Sequence, residues 1–74
     1  MSHSSKSIGA LLRARRKDLE LNQIDTAEIA GISVHTLSNI ETGKGNPTVK
    51  TLLELCDLLG LELVLRPKQP EALR

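Results

Sequence analysis

The side chains best suited to chemistry in this sequence share the outer face of one predicted helix. They are Val34, His35, Ser38 and Asn39. Asn39 can pair bidentately with adenine, Ser38 can donate or accept a hydrogen bond, and Val34 can contact the methyl group of thymine. His35 can contact a base edge or a phosphate. Each residue alone is equally an ordinary surface position, so the interpretation that this face reads DNA bases depends on the elements that hold it.

Contacts to the DNA backbone are predicted from residues that flank this face, namely Gln23, Thr36, Arg13 and Lys44. Gln23 begins the preceding helix, where free N–H groups and the helix dipole suit a phosphate. The net charge of the chain is only +1. Residues 1–20 nevertheless hold five basic against two acidic residues, a local charge of +3, and the distribution of charge matters more than its sum. A solvated helix face would carry the same charges.

The elements that hold the outer face are predicted from small and apolar residues in the middle of the chain. Ala27 falls where two helices touch and only a methyl group fits. Gly31 follows four residues later, where the chain can turn with positive φ at little cost. Ile32, Leu37 and Ile40 then form the buried stripe of the second helix. This spacing is typical of a helix-turn-helix, which presents its second helix to the major groove of DNA.

Four helices are predicted, and each follows a residue whose side chain can cap its first turn. The caps are Ser7, Asn22, Ser33 and Thr48. The helices end near residues 19, 30, 41 and 59, and Gly60 terminates the last one. The wide apolar stripe of this last helix comprises Val49, Leu52, Leu53, Cys56 and Leu59. Residues 1–6 are predicted to be a flexible arm, and residues 7–66 to form the DNA-binding domain.

The segment Leu61–Arg66 alternates in the manner of a β-strand, with leucine at every second position. A lone strand leaves its backbone donors and acceptors unpaired, so a second copy of the chain is predicted to pair with it antiparallel in a homodimer. The predicted dimerisation residues are Leu61, Leu63, Val64 and Leu65. The alternative is that the fourth helix continues past its terminal glycine. Residues 67–74 are predicted to form a mobile tail.

Length and composition exclude several classes of protein. A chain of 74 residues forms one small domain and has little volume for the cleft of an enzyme. It contains no aromatic residue, and its single cysteine, Cys56, excludes an intrachain disulfide or a thiolate zinc site. No nucleophile and base stand at a usable spacing, so neither enzymatic activity nor a metal or cofactor is expected. Without a signal sequence or a membrane-length apolar run, the chain is expected in the cytoplasm.

The chain resembles the Cro/cI-type helix-turn-helix proteins of the XRE family over residues 11–61, in the stretches LLRARR, LNQ, AGIS, TLSNIETGKGNPT and TLLELCDLLGL. This resemblance implies a mainly α fold of four helices that binds DNA, to which the predicted C-terminal strand is added. Family members often pair an arginine of helix 1 with the glutamate that ends helix 3. The resemblance therefore implies a partly buried ion pair between Arg16 and Glu41. The alternative is that Arg16 binds a phosphate.

The stretch LELVLRP directly after helix 4 resembles the HipB-type antitoxins. That resemblance implies a homodimer that binds double-stranded operator DNA with inverted repeats and represses its own operon. It also implies a HipA-type serine/threonine kinase toxin as a partner. Two other functions fit the same fold: a standalone controller of a phage or restriction-modification operon, and a protein-interaction module that no longer reads an operator.

Three features depart from the family pattern. Glu20 stands where glycine is favoured after helix 1, and a left-handed conformation there would cost about 1 kcal/mol. Thr26 stands where helix 2 usually turns a leucine into the core. Ile24 and Ile29 occupy positions that are usually polar and exposed. These two isoleucines either fill the space left by Thr26 or form part of a partner-binding patch.

Overall fold

The computed structural model describes residues 5–68 and contains four helices in that range. They are α1 (Ser5–Asp18), α2 (Gln23–Ala30), α3 (Val34–Glu41) and α4 (Val49–Leu59). The last three have the predicted bounds. α1 already begins at Ser5, so the prediction that Ser7 caps it is wrong, because neither residue before Ser7 interrupts a helix. The rest of the predicted arm, residues 1–4, and residues 69–74 of the predicted tail lie outside the described residues.

Each of these helices ends in the same backbone motif, in which a residue with positive φ reverses the chain. The four residues are Glu20, Gly31, Gly43 and Gly60. In each case the N–H of the next residue donates to a carbonyl five positions earlier, at 2.8 to 3.0 Å. Glu20 adopts a φ of 59° although it is not glycine, at a cost of about 1 kcal/mol. The left-handed conformation of the family pattern is therefore kept at this departure.

Among the described residues, the core consists of apolar side chains from all four helices: Leu12, Ala27, Ala30, Leu37, Ile40, Leu55, Cys56 and Leu59. α1 and α2 each pack against both α3 and α4. The predicted stripe of α4 was partly wrong. Leu55, which it omitted, is 0 % exposed, whereas Val49 and Leu53, which it included, are 66 % and 46 % exposed. The packing of α1 and α2 rotates the buried face of α4 toward Leu55, and a stripe drawn from the sequence alone does not fix that rotation.

α1 and α3 are in backbone contact at Gly9, which no sequence pattern indicated. A Cβ atom added at Gly9 would collide with the carbonyl oxygen of Ile40, and it would lie 2.9 Å from the carbonyl oxygen of Glu41. Any side chain here must therefore move the backbone at the end of α3. Gly9 sets how closely α1 approaches the helix that carries the candidate base-reading residues.

Residues 61–68, which follow α4, have no regular secondary structure. The strand predicted over Leu61–Arg66 is therefore wrong for the single chain. A strand needs a neighbour for its hydrogen-bond ladder, and the other regular elements within residues 5–68 are all helices. The alternative of a longer α4 is also wrong, because that helix ends at its left-handed glycine. Leu61 packs against the core, whereas Leu63, Val64 and Leu65 are exposed.

Candidate nucleic-acid interface

Capping residues fix the starts of α2 and α3, as predicted. Asn22 accepts a hydrogen bond from the N–H of Asp25 at 2.7 Å. Ser33 Oγ accepts one from the N–H of Thr36 at 3.0 Å and donates to the Thr36 hydroxyl at 2.9 Å. Between the two helices, Gly31 turns the chain with a φ of 73°. α2 and α3 thus form the predicted helix-turn-helix, with α3 as its second helix.

The four predicted base-contacting side chains lie on the side of α3 that faces away from the core. Val34 and His35 are exposed, whereas Ser38 and Asn39 are half-buried. The opposite side carries the buried residues Leu37, Ile40 and Glu41. The spacing therefore located this outer face correctly, and base contact by its four residues stays a prediction.

Asn39 lies where α3 meets the loop that follows it. Its backbone carbonyl accepts hydrogen bonds from the N–H groups of Lys44 and Gly45 at 2.8 and 3.1 Å. Its side-chain Nδ2 lies 3.3 Å from Nε2 of His35, one turn earlier in the helix. The loop thereby holds Lys44, a predicted phosphate contact with an exposed side chain, beside the outer face of α3.

A buried ion pair joins α1 to the end of α3. Arg16 donates from Nε to Glu41 Oε2 at 2.7 Å and from Nη2 to Oε1 at 3.1 Å. Arg16 Nη1 also donates to the carbonyl oxygen of Leu21 at 2.7 Å. The two charged side chains are 8 % and 2 % exposed. The ion pair implied by the family resemblance is thus present, and the alternative, that Arg16 binds a phosphate, is wrong because its guanidinium is committed inside the protein.

Gln23 extends this network to the start of α2. Its Nε2 donates to Glu41 Oε1 at 3.0 Å, so one proton of its amide is already used within the protein. A phosphate at this position could accept hydrogen bonds from the second amide proton of Gln23 and from backbone N–H groups at the start of α2. That phosphate contact stays a prediction.

The network lowers the pKa of Glu41. Burial of the carboxylate acts to raise its pKa, but the hydrogen bonds from Arg16 and Gln23 and the charges of Arg16 and Arg13 outweigh burial. The pKa therefore lies below the ordinary value of 4.5. A carboxylate with a lowered pKa in the folded state stabilises that state above its unfolded pKa, and this contribution is lost as the pH falls through the folded pKa.

We expect the free energy of unfolding to fall as the pH drops below the ordinary glutamate value of 4.5, and Glu41→Gln to flatten this part of the pH profile. The glutamine cannot take up the proton that the wild-type carboxylate must accept on unfolding in acid. Urea denaturation followed by circular dichroism between about pH 3 and 7, which spans this titration, measures the effect. Glu54→Gln is the control, because the Lys50–Glu54 pair is exposed and 3.9 Å apart. Equal pH profiles for the wild type and Glu41→Gln would contradict the assignment.

A second basic residue of α1 also has an internal role. Arg15 Nε donates to the carbonyl oxygen of Leu59 at 2.8 Å. This carbonyl lies at the C-terminal end of α4, where a cation interacts favourably with the negative end of the helix dipole. The charge of residues 1–20 available to DNA is thus smaller than the sequence suggested, since Arg15 and Arg16 both point inward. Arg13 is exposed and stays the predicted phosphate contact on α1. The role of Arg15 has no local signal, because its partner lies 44 positions away.

In α2, Thr26 occupies a core position, and the side chains of Ile24 and Ile29 do not fill the space around it. Thr26 is buried, and its hydroxyl donates to the carbonyl oxygen of Asn22 at 2.7 Å, which satisfies it within the helix. Ile24 and Ile29 are 64 % and 67 % exposed. The interpretation that they fill space beside Thr26 is therefore wrong. Their alternative role, in a partner-binding patch, stays a prediction.

Other kinds of site find little support in the described part of the chain. Residues 5–68 contain no group of histidine, cysteine, aspartate or glutamate side chains that could hold a metal ion. Cys56 is buried, and burial together with the charge of Asp57 raises the pKa of its thiol, so it acts as a small apolar core residue. No helix in this range is long and apolar enough to cross a membrane.

A capped second helix held against a small helical core defines a helix-turn-helix domain, a class of protein that binds DNA. The model of the Helix-turn-helix family matches residues 12–65. The chain belongs to this family. Three of its relatives, all from Sinorhizobium fredii, are named as HTH-type transcriptional regulators.

The chain is similar to proteins of phages and bacteria. It is 40 % identical over 58 residues, 78 % of its length, to the ImmF control region 10 kDa protein of Bacillus phage phi105. Over 59 residues, 80 % of this chain and 77 % of the relative, it is 37 % identical to an HTH-type transcriptional regulator of Sinorhizobium fredii. The chain spans 64 % of the ImmF protein and 40 % of the immunity repressor protein of the same phage, to which it is 33 % identical over 57 residues.

Two solved structures share the fold over most of the chain. The restriction-modification controller protein C.AhdI of Aeromonas hydrophila is 26 % identical, with a TM-score of 0.74 over 78 % of this chain and 88 % of that one. A chain of a HipA–HipB–O2–O3 complex is 23 % identical, with a TM-score of 0.78 over 93 % of this chain and 97 % of that one. At that identity the second likeness concerns the fold alone.

Proposed function

We propose that the chain is a transcriptional repressor that acts in the cytoplasm and reads an operator with inverted repeats through the outer face of α3. The observation that carries this proposal is the outer face itself: four side chains able to contact bases stand together on a capped helix of a helix-turn-helix domain. The phage control protein and immunity repressor among its relatives support repression as the regulatory outcome.

In this function α3 lies in the major groove, where each base pair presents a distinct pattern of donors and acceptors. Asn39 pairs with adenine, Ser38 bonds to a second base edge, and Val34 contacts a thymine methyl group. Arg13 and Lys44, together with Thr36 and the start of α2, bind phosphates and set the register of α3 on the duplex. The Arg16–Glu41 pair keeps α3 at a constant position relative to α1, so that base and phosphate contacts form together.

We expect Asn39→Ala and Arg13→Ala to weaken DNA binding in different ways. Asn39→Ala removes a base contact, so it should cost about 1 to 3 kcal/mol of preference at one base pair. Arg13→Ala removes a phosphate contact, so it should weaken binding to every duplex alike and lower the salt dependence by about one counterion. A preferred duplex is first selected from a random library with the wild-type chain, and binding is then measured at several salt concentrations.

Failure to select any duplex over random sequence would rule out the repressor function and favour the protein-interaction module. An Asn39→Ala variant with unchanged base preference would remove Asn39 from the base contacts. An Arg13→Ala variant that changes base preference would show that Arg13 does more than bind phosphate.

Two copies of the chain are proposed to bind the two halves of the operator. The support is the run of exposed apolar side chains after α4, Leu63, Val64 and Leu65, which a second copy would cover. One short reading helix discriminates poorly when, like α3, it contains no arginine or lysine to contact the bases. Two recognition helices related by a two-fold axis would double the base contacts and fix the spacing of the half-sites at one or more helical turns.

We expect Leu65→Asp to weaken dimerisation at least about tenfold, because it buries an unpaired charge in the proposed interface. Leu65 is 93 % exposed in the single chain, so the substitution should leave the melting temperature of the monomer unchanged. Analytical ultracentrifugation over a concentration series measures the dimer. Lys68→Gln is the matched control, since it changes the net charge by the same −1 at a position beyond the apolar residues. Equal dimerisation of the two variants would remove this segment from the interface.

A more specific function, as the antitoxin of a HipA-type kinase, is a second candidate. Its support is the HipB-like stretch LELVLRP together with a fold shared over nearly the whole of the chain from the HipA–HipB–O2–O3 complex. The similarity to the phage proteins and to C.AhdI supports the competing role of a phage or restriction-modification controller. The identity of the adjacent gene distinguishes them: a gene for a HipA-like kinase supports the antitoxin, whereas a gene for a methyltransferase or endonuclease supports the controller. Where the adjacent gene encodes a kinase, co-purification of that kinase with the chain tests the antitoxin role directly.

A further inference from the structure

We propose that His35 is a positioning residue for base recognition, which acts by holding the amide of Asn39 in the orientation that pairs with adenine. This inference rests on the proposed DNA-reading function and adds separate roles for two residues: Asn39 contacts the base, and His35 orients Asn39. The observation behind it is the contact between the two side chains, with 3.3 Å between Asn39 Nδ2 and His35 Nε2 across one turn of α3.

The chemistry of the contact assigns the roles of the two groups. The nitrogen of a primary amide can only donate, so Nε2 of His35 must accept, and the imidazole then carries its proton on Nδ1. Bidentate pairing of Asn39 with adenine uses the amide oxygen and one amide proton. The amide has two protons, so one can go to His35 and the other to adenine. With the amide turned by 180°, its oxygen would face Nε2, so keeping the contact would require the imidazole tautomer that carries its proton on that nitrogen.

The backbone of Asn39 is held from the other side by the loop after α3. Its carbonyl accepts the N–H groups of Lys44 and Gly45 at 2.8 and 3.1 Å. A Cβ atom added at Gly45 would lie 3.5 Å from the Cβ of Asn39, so the loop backbone covers this part of the helix in ordinary contact distance. The backbone of Asn39 is thus set by the loop, and the amide at its tip is set by His35.

Because of the composition of α3, fixing the orientation of Asn39 should matter for base discrimination. The helix has the sequence VHTLSNIE, and it lacks the long basic side chains that usually supply strong base contacts. Discrimination then depends on a few short polar groups, and a group that is already in its bound orientation loses less conformational freedom on binding. Since Nε2 of His35 is occupied by Asn39, His35 contributes to recognition mainly through its neighbour.

The test compares three variants on the duplex selected with the wild-type chain and on its single-base-pair derivatives. Asn39→Ala identifies the base pair that Asn39 reads, with an expected loss of preference of about 5- to 150-fold. His35→Leu removes the acceptor and should reduce the preference at that same base pair by about 2- to 12-fold. His35→Gln keeps an acceptor one turn before Asn39 and should restore most of the preference. His35 is exposed, so neither of its two substitutions should alter the melting temperature.

The outcomes separate this proposal from the DNA-reading function on which it rests. If His35→Leu keeps the preference that Asn39→Ala loses, or loses preference at a different base pair, the positioning role is overturned while DNA reading stands. If no duplex is selected, both proposals fail. The contact itself is tested in the free chain by the nitrogen-15 resonance of the Asn39 side-chain amide. This resonance should move toward that of a solvated asparagine in His35→Leu and stay in place in His35→Gln, and an unmoved resonance in His35→Leu overturns the proposal.

Discussion

Arg16→Met is expected to lower the free energy of unfolding by about 3 to 5 kcal/mol, because it leaves a buried carboxylate without its cation. The Glu41 side chain is only 2 % exposed, so water cannot replace the two hydrogen bonds that Arg16 donates to it. A domain of this length has a total stability of about 4 to 11 kcal/mol. The variant should therefore be close to unfolding at 25 °C, as measured by urea denaturation followed by circular dichroism.

Two further variants show whether the loss comes from the stranded charge. Arg13→Met removes an exposed arginine of the same helix and should change stability by no more than about 0.5 kcal/mol. The double variant Arg16→Met with Glu41→Leu replaces the whole pair by apolar side chains and should recover most of the lost stability. If Arg16→Met costs no more than Arg13→Met, the ion pair does not hold α1 to α3. If the double variant is as unstable as the single one, the loss comes from packing rather than from charge.

Gly9→Ala is expected to destabilise the domain by about 1 to 3 kcal/mol, although alanine is the better helix former. Helix propensity alone predicts a gain of about 1 kcal/mol for this change in the middle of α1. The added methyl group would instead collide with the carbonyl of Ile40 and press on that of Glu41. Backbone atoms cannot turn aside as a flexible side chain can, so α1 must shift away from α3 and loosen the core between them.

The sign of the Gly9→Ala effect decides between propensity and packing, and thermal denaturation measures it. Ala10→Gly is the matched control, because its neighbouring site on α1 is exposed and should lose about 1 kcal/mol by propensity alone. A stabilised Gly9→Ala variant would show that α1 and α3 are not in close contact at this position. Because α3 carries the proposed base-reading face, a destabilised but folded variant should also bind its selected duplex more weakly.

Helix bounds and the orientation of α3 were predictable because they depend on neighbouring residues. A capping side chain bonds to an N–H three positions later, and a left-handed glycine ends a helix within its own turn. The face of α3 that points outward follows from the helical period once its buried residues are recognised. The start of α1 was less predictable, because serine, a favoured capping residue, occurs at positions 4, 5 and 7, and the sequence does not choose among them. The prediction of a strand after α4 was wrong for the single chain, because an alternating pattern forms a strand only beside a second strand that pairs with it.

Residue types alone did not show which polar residues belong to the interior. Arg13, Arg15 and Arg16 occur within four positions of α1, yet one is exposed, one closes the end of α4 and one is buried against Glu41. Gln23 was predicted to face a phosphate, and its amide bonds to the same glutamate. The family resemblance did supply the Arg16–Glu41 pair, which spacing alone would not have indicated.

Local patterns in the chain were thus sufficient for the class of fold, for α2, α3 and α4, and for the group of side chains on the outer face of α3. Three other features depend on how the helices pack: the burial of Leu55, the need for glycine at position 9, and the internal contacts of Arg15 and Arg16. The physical reason is distance along the chain. Caps, turns and helical faces arise within a few residues, whereas the contacts of Gln23, Arg16 and Arg15 join residues 18, 25 and 44 positions apart, and these form only when the helices assemble.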